Sequence, residues 1–382
     1  MAEQENTVHS DRTGETASEF VDKYKRLEPL YQQYAARLDS LVVDLLKQRG
    51  IPVHATEYRS KSIESFKEKI GRPGKRYVNP LVELTDLAGN RVILYYQEDV
   101  DKVCDILRAE FAVDEPSSGK TSSQLTPDQF GYNSVHLIVG LGKKRRHLPE
   151  WHPFTELLAE IQVRTVLQHA WSAVSHSMQY KRESDIPTAL RRRLNRLSGL
   201  FELADDEFSA IRIQRQELTK RLSKQLDEDD LSAELNRISI SEYLRKDAAP
   251  SRIFEAAQGL VGVYGQEDGG ELLAAVHEPD HAGDLLAVAD LLGLTTIQQL
   301  DEILQGAVPH VREFLGELRA AHKTEMFGDV GHWSAVILAA AMHEDIDAFG
   351  LGLAAGWDAE FCLRIIKVAE SGSFSTEIPP TP

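Results

Sequence analysis

Apolar positions first recur with helical spacing between Glu19 and Arg49, at Phe20, Leu27, Leu30, Tyr31, Tyr34, Leu38, Leu41, Val42 and Leu45. This pattern predicts one long amphipathic helix, closed by Gly50 and Pro52. Further on, the run RVILYY within 84–96 is β-branched and aromatic, as suits a buried strand. The stretch 99–111 reads as a helix with Val100, Val103, Ile106 and Leu107 inward, and a polar loop follows over 115–129. Strands are predicted at 135–139 and 160–163, and a helix runs from about Thr165 towards Arg182. Strand, helix, loop, strand, strand and helix imply an α+β (α/β) domain, in which helices flank a small mixed central sheet.

Beyond Pro187 the pattern changes. Residues 189–227 predict a long charged helix with Leu190, Leu194, Leu197, Leu200 and Phe201 along one face. The acidic run Asp227–Asp230 suggests a linker. From about Ser239 the chain is rich in Ala, Leu and Gly, with helical patches broken by Gly and Pro, and predicts an all-α C-terminal domain. The expected organisation is a disordered lead-in (1–18), an α/β domain with its trailing helix (19–225), a linker (226–238), a helical domain of unassigned role (239–370) and a disordered tail (371–382).

Composition narrows the classes of function. Sixty acids against 43 bases among 382 residues give a net charge of -17, which disfavours general nucleic-acid binding and leaves polyanions only a local basic pocket. Two distant cysteines exclude a disulfide scaffold and fit a reducing cytoplasm. The polar first twenty residues do not read as a signal peptide. The longest apolar stretches fall short of the roughly 20 residues that a membrane span needs.

Chemistry-bearing residues crowd into 59–181. Arg59, Lys61, Ser62, Ser65, Lys67 and Lys69 gather several cations within eleven positions, either a phosphate pocket or a solvated helix face. Asp86, Gly89 and Arg91 precede or enter a strand, where the acid serves as a metal and phosphate station or as a turn cap. Gly131, Tyr132, Asn133, Ser134 and His136 sit at a loop-to-strand junction, where Tyr132 either stacks on a base or is an ordinary strand aromatic. Glu160, Gln162 and Arg164 share one strand face by their period of two, a pattern too costly to bury for packing alone. His169 and His176 lack the i, i+4 spacing and acidic partner of a zinc helix and read as ordinary imidazoles. The SGKTS run at 118–122 is no P-loop, because Asp114 stands where that motif needs Gly.

In order, these groups resemble the synthetase domain of the RelA/SpoT family, and most closely its small single-domain alarmone synthetases. The matching motifs are R-x-K-S-x-E-S at 59–65, D-L-A-G-x-R at 86–91, G-Y-x-S-x-H at 131–136, E-I-Q-V-R-T at 160–165 and W-x(4)-H-S-x-x-Y-K at 171–181. The resemblance covers about the first 190 to 220 residues. It implies a nucleotidyltransferase-like synthetase domain that uses Mg2+ to move pyrophosphate from ATP to the ribose 3′-hydroxyl of GTP or GDP. By the family pattern Arg59, Lys61, Ser65, Lys67 and Arg91 bind ATP, and Asp86 and Glu160 are catalytic and share the metal. Tyr132 stacks on the acceptor's guanine, and Asn133, Ser134, His136, Gln162, Arg164 and His169 complete the acceptor side. Typical synthetases carry lysines in the loop before G-Y-x-S-x-H, whereas 115–130 holds only Lys120. This departure admits the 3′ end of tRNA as an alternative acceptor, as in toxic relatives, with the C-terminal domain as a restraint. The basic run KKRRH at 143–147 would then touch the tRNA, or else forms a hairpin turn. A non-catalytic nucleotide sensor is the third reading. Family members often form homo-oligomers, and no alarmone hydrolysis, DNA partner or membrane partner is expected.

Overall fold

The structure is a computed structural model and describes residues 16–72, 74–120, 134–177, 188–246, 248–263, 282–322 and 326–373. The lead-in and tail expected at the termini, and Tyr132 and Asn133, thus lie largely or wholly outside the described residues. The chain divides into two compact units, 1–212 and 213–382.

The first unit opens with α1 (Ala17–Gln48), whose start is fixed by a capping box between Thr16 and Glu19. Strand β1 (Val53–Ser60), α2 (Ile63–Ile70), α3 (Pro80–Glu83) and β2 (Ala88–Leu94) follow. Next come α4 (Gln97–Glu110), β3 (Phe111–Val113), β4 (Gly119–Lys120), β5 (Val135–Leu141), α5 (Lys143–Arg146), β6 (Ala159–Thr165), α6 (Val166–Ser177) and α7 (Thr188–Asp227). The sheet runs β1-β2-β6-β5-β3, with β4 also on β5. Among the described residues of this sheet only β2 and β6 pair in parallel, and the chain between them runs through α4, β3, β4, β5 and α5.

One face of this sheet carries Val92, Leu94, Ile161, Val163, Leu137 and Val139 into a core shared with α1 and α4. On that face the buried Asn90 donates from Nδ2 to the Ala35 carbonyl of α1 at 2.9 Å, while its Oδ1 is buried without a hydrogen-bond partner. Tyr24 of α1 stacks on Phe66 of α2 with ring centroids 4.4 Å apart and donates to the Lys61 carbonyl at 2.6 Å. Helix and strand thereby fix the start of α2.

Two expectations change. Residues 59–69 are not one helix face: Arg59 and Ser60 end a strand, and Ser62 caps α2 by accepting from the Ser65 amide at 3.2 Å. The KKRRH run is no hairpin turn. It forms the one-turn α5, because Arg145 is drawn back to the Glu110 carboxylate at 2.9 Å and carbonyl at 3.0 Å. A Cβ at Gly142 would lie 2.9 Å from the Glu110 carbonyl oxygen, so the residue that leads into α5 has to be small. Strands β1, β3 and β4 have weak sequence signals, being short or polar on both faces.

The second unit is largely helical. It holds α8 (Arg237–Arg245), α9 (Ala249–Ala257), α10 (Gly283–Leu291), α11 (Ile297–Ala307), α12 (Val311–Ala321), α13 (Val330–Ala341), α14 (Ala348–Ala355) and α15 (Ala359–Val368), with a two-residue parallel ladder between β7 (Gly262–Val263) and β8 (Phe327–Gly328). Helix α13 is buried along nearly its whole length and forms the centre of this unit. The acidic run at 227–230 closes α7 in a tight turn, with Asp229 at φ 62° and its carboxylate 2.6 Å from Lys246. No helix among the described residues is long and apolar enough to cross a membrane.

Candidate active site

Register decides the site. Across the sheet Glu57 pairs with Arg91 and Arg59 with Gly89. Gly89 pairs with Glu160, and Arg91 with Gln162. His136 pairs with Gln162 in turn. Paired residues project to the same side, and residues two apart in a strand share a face. Four strands therefore lay one polar surface opposite the apolar core. Together with Lys61, Ser62, Ser65 and Asp86, this surface lines a cavity of about 430 Å³. Gly89 has no side chain in the middle of that floor, and a Cβ there would have no neighbour closer than 3.9 Å.

Both carboxylates open onto this cavity. Asp86 accepts on Oδ2 from Lys61 at 2.8 Å and from Lys69 at 2.7 Å. Its Oδ1 is buried without a hydrogen-bond partner. Burial works to raise the Asp86 carboxyl, but the two ammonium groups outweigh it and hold it below the usual carboxylate range. Glu160 accepts on Oε1 from Gln162 at 2.6 Å, with His136 Nδ1 at 2.9 Å from the same oxygen. Here too burial pushes up, while His136 and Gln162 pull further down, and the charge of Asp86 opposes them slightly.

Beside the carboxylates stands a cationic wall. Arg91 donates from Nη1 to Glu57 at 2.7 Å and from Nε to Gln162 Oε1 at 3.3 Å. The buried Arg164 bonds the same Gln162 oxygen. Burial, with Arg91 close by, pushes the Arg164 guanidinium down to about 10. A triphosphate entering this cavity would meet fixed guanidinium groups on one side and two lysines on the other.

A family model described as "Region found in RelA / SpoT proteins" matches residues 58–185. GTP pyrophosphokinase YjbM of Bacillus subtilis (strain 168) is 30% identical over 178 residues, 45% of this chain and 78% of that protein. The chain belongs to the RelA/SpoT family. GTP pyrophosphokinase YwaC of the same organism is 27% identical over 164 residues, which cover 42% of this chain and 74% of that one. Among solved structures, small alarmone synthetase 1 from Bacillus subtilis matches at 27% identity and TM-score 0.43, covering 51% of this chain and 99% of that one. The chain is thus a RelA/SpoT synthetase domain, similar to small alarmone synthetases over about half its length, with an additional helical region.

Most of the RelA/SpoT motif residues converge. Arg59, Lys61, Ser65, Asp86, Arg91, Glu160 and Gln162 line one cavity. His136 and Arg164 stand behind it, through Glu160 and Gln162 respectively. Ser134 bonds His136 Nε2 at 2.8 Å. His169 lies outside the lining, its Nε2 4.0 Å from Glu57. Lys67 is exposed and does not line the cavity, because it stands two residues, about 200°, around α2 from Ser65. Lys69, four residues after Ser65, shares that inner face and reaches Asp86.

Two site residues escape motif reading. Lys69 is visible in the sequence only as one more cation, and Glu57 as an acid in an unassigned stretch. Recognising β1 would have found Glu57, since it stands two residues before Arg59 on the same strand face.

Magnesium is the cation that the family resemblance implies. The residues present fit it: Asp86 and Glu160 line one cavity, and Asp86 keeps a buried oxygen, Oδ1, without a hydrogen-bond partner. Among the described residues no cluster of three His, Cys, Asp or Glu could hold a metal. A pair of carboxylates suits an ion whose remaining ligands are water and substrate phosphates.

Proposed function

We propose that the chain is an ATP-dependent pyrophosphokinase that acts on the ribose 3′-hydroxyl of GTP or GDP. The observation that carries this reading is the convergence of Asp86 and Glu160 on one cavity walled by Arg59, Lys61 and Arg91. In the proposed reaction Arg59 and Arg91 hold the donor, and Lys61 and Lys69 neutralise its phosphates. Glu160, kept ionised and fixed by His136 and Gln162, accepts the proton of the 3′-hydroxyl. The oxygen so freed attacks the β-phosphorus of ATP. The bond from that phosphorus to the α,β-bridging oxygen breaks, and AMP leaves with the electron pair. A bound magnesium ion supplies further charge neutralisation at the transferred group, and Asp86 and Glu160 are the residues that would hold it. Gln162 keeps Glu160 from pairing with the neighbouring guanidiniums by bridging between them.

The test is transfer of label from β-labelled ATP to GTP, GDP or deacylated tRNA by the purified chain. Label on the guanine nucleotide supports the proposal, label on tRNA transfers the same chemistry to another acceptor, and no transfer leaves a nucleotide sensor. Two substitutions probe the substrate sides. Tyr132→Ala is expected to weaken acceptor binding by roughly 1–3 kcal/mol, the worth of one stacked base, with ATP binding much less affected; equal losses in titrations of each nucleotide would remove the stacking role. Glu57→Gln is expected to raise the KM for ATP about three- to tenfold, since a half-exposed ion pair to Arg91 is worth roughly 1 kcal/mol, with kcat nearly kept. A fall confined to kcat would instead assign Glu57 to the chemical step.

A further inference from the structure

Helix α14 has no charged or hydrogen-bonding side chain in its sequence, AFGLGLAA. It is nonetheless fixed at both ends. Asp347 caps its start by accepting from the Gly350 amide at 2.7 Å, and Gly356 closes it in the left-handed region at φ 71°. One side is packed. Leu351 is buried, and a Cβ on Gly352 would lie 3.1 Å from the Trp357 carbonyl oxygen and 3.6 Å from Cys362 Sγ. The opposite side is open. Phe349 and Leu353, one turn apart, are 80% and 78% exposed, and among the described residues no large apolar side chain is more exposed. Leu291, at the end of α10, widens this patch. It too is exposed, and its Cδ1 would lie 3.8 Å from a Cβ on Gly350. A helix that is apolar all round is normally buried, and large apolar side chains gathered in water mark a contact surface.

The surroundings are acidic. Glu344, Asp345 and Asp347 lead into α14, Asp358 follows it and Asp290 precedes Leu291, all of them exposed. No Lys or Arg occurs within 253–311 or 342–363, and the next base, Arg364, is paired with Glu360. Such a rim repels nucleic acid and anionic lipid. A second copy of the chain would bring the same acids against it.

We propose that the Phe349–Leu353 face docks a cationic amphipathic helix of another polypeptide. Its apolar stripe would lie over Phe349, Leu353 and Leu291, and its Lys or Arg side chains would meet the acidic rim. The open ridge of α14 suits a crossing helix, because side chains one turn apart pack into the groove of a neighbour. The acids then reject helices of the wrong sign. This inference stands apart from the proposed reaction, and either can fail without the other.

The experiment is a titration of the full chain into a fluorescein-labelled synthetic helix of Leu and Lys with all leucines on one face, read by anisotropy at physiological salt. Binding in the micromolar range is expected. A scrambled peptide of the same composition and a Leu/Glu counterpart should each bind at least about tenfold more weakly. Phe349→Ser/Leu353→Ser should weaken the Leu/Lys helix by at least about tenfold, as loss of exposed anchors does, with the melting temperature kept. Glu344→Lys/Asp345→Lys should weaken it too, and should improve binding of the Leu/Glu peptide. Equal affinity for the scrambled peptide, or binding that survives Phe349→Ser/Leu353→Ser, overturns the proposal. Charge reversal without effect overturns the cationic assignment. Sedimentation at twice the chain mass, or binding to neutral phosphatidylcholine vesicles, abolished by the same pair of serines, would give the surface to a second copy or to a lipid surface and overturn the proposal as well.

Discussion

Glu160→Gln is expected to lower turnover by more than about a hundredfold, the loss typical of a removed general base, while ATP binding stays near wild type. The substitution keeps the shape and a hydrogen-bonding oxygen, so Gln162 still has an acceptor 2.6 Å away. What goes is the charge that His136 and Gln162 hold in place and the capacity to take a proton. Glu160 is held below the usual carboxylate range, burial notwithstanding. Its protonation therefore does not limit the rate at neutral pH, and the acid-side fall in wild-type rate should come only as pH drops into or below the ordinary carboxylate range. Single-turnover transfer from labelled ATP measures the effect, and an unchanged rate would remove Glu160 from the chemistry.

Asp86→Asn should cost as much or more, again beyond about a hundredfold, through a different cause. The native carboxylate offsets Lys61 and Lys69 and leaves its other oxygen buried without a hydrogen-bond partner. Asn retains an oxygen but not the charge, so two ammonium groups are left facing each other and the cavity loses its hold on a cation. Rates measured across magnesium concentrations should therefore show a weakened apparent metal affinity as well as a lower ceiling. Stability should respond too. The folded Asp86 value is depressed, so its contribution is present above the unfolded carboxylate range and fades as pH falls through the lowered folded value. The variant should lack that part of the acid-side slope in thermal melts. A wild-type rate in Asp86→Asn would exclude the residue from catalysis.

The sequence made the strongly patterned parts legible. The heart of the sheet was readable because β2 holds a β-branched and apolar run and β6 sets Glu160, Gln162 and Arg164 at a period of two, and α1 and α7 because their apolar spacing is long and regular. The chemistry was readable as residue sets, since Glu160, Gln162 and Arg164 are too costly to bury without a purpose. Strand β1 escaped because VHATEYRS is largely exposed or half-buried along its length, and its pairing with β2 is a long-range fact. Losing β1 meant losing Glu57. Lys67 and Lys69 could not be told apart without the start of α2, since the face that each occupies depends on where Ser62 caps the helix. The α5 turn was likewise settled by a distant carboxylate, Glu110, and not by its own residues.

Because Glu160, Gln162, Arg59 and Arg91 ride on paired strands, that part of the machinery should be brittle towards insertions and forgiving of grafts. One extra residue within β6 would swing Ile161 and Val163 towards the nucleotide and drive Glu160 into the oil beneath the sheet. Replacing a whole connecting segment would leave the alternation untouched. Divergence among chains of this build should therefore accumulate as new loops on an unaltered ladder, with the choice of acceptor free to drift while the phosphate chemistry stays in register.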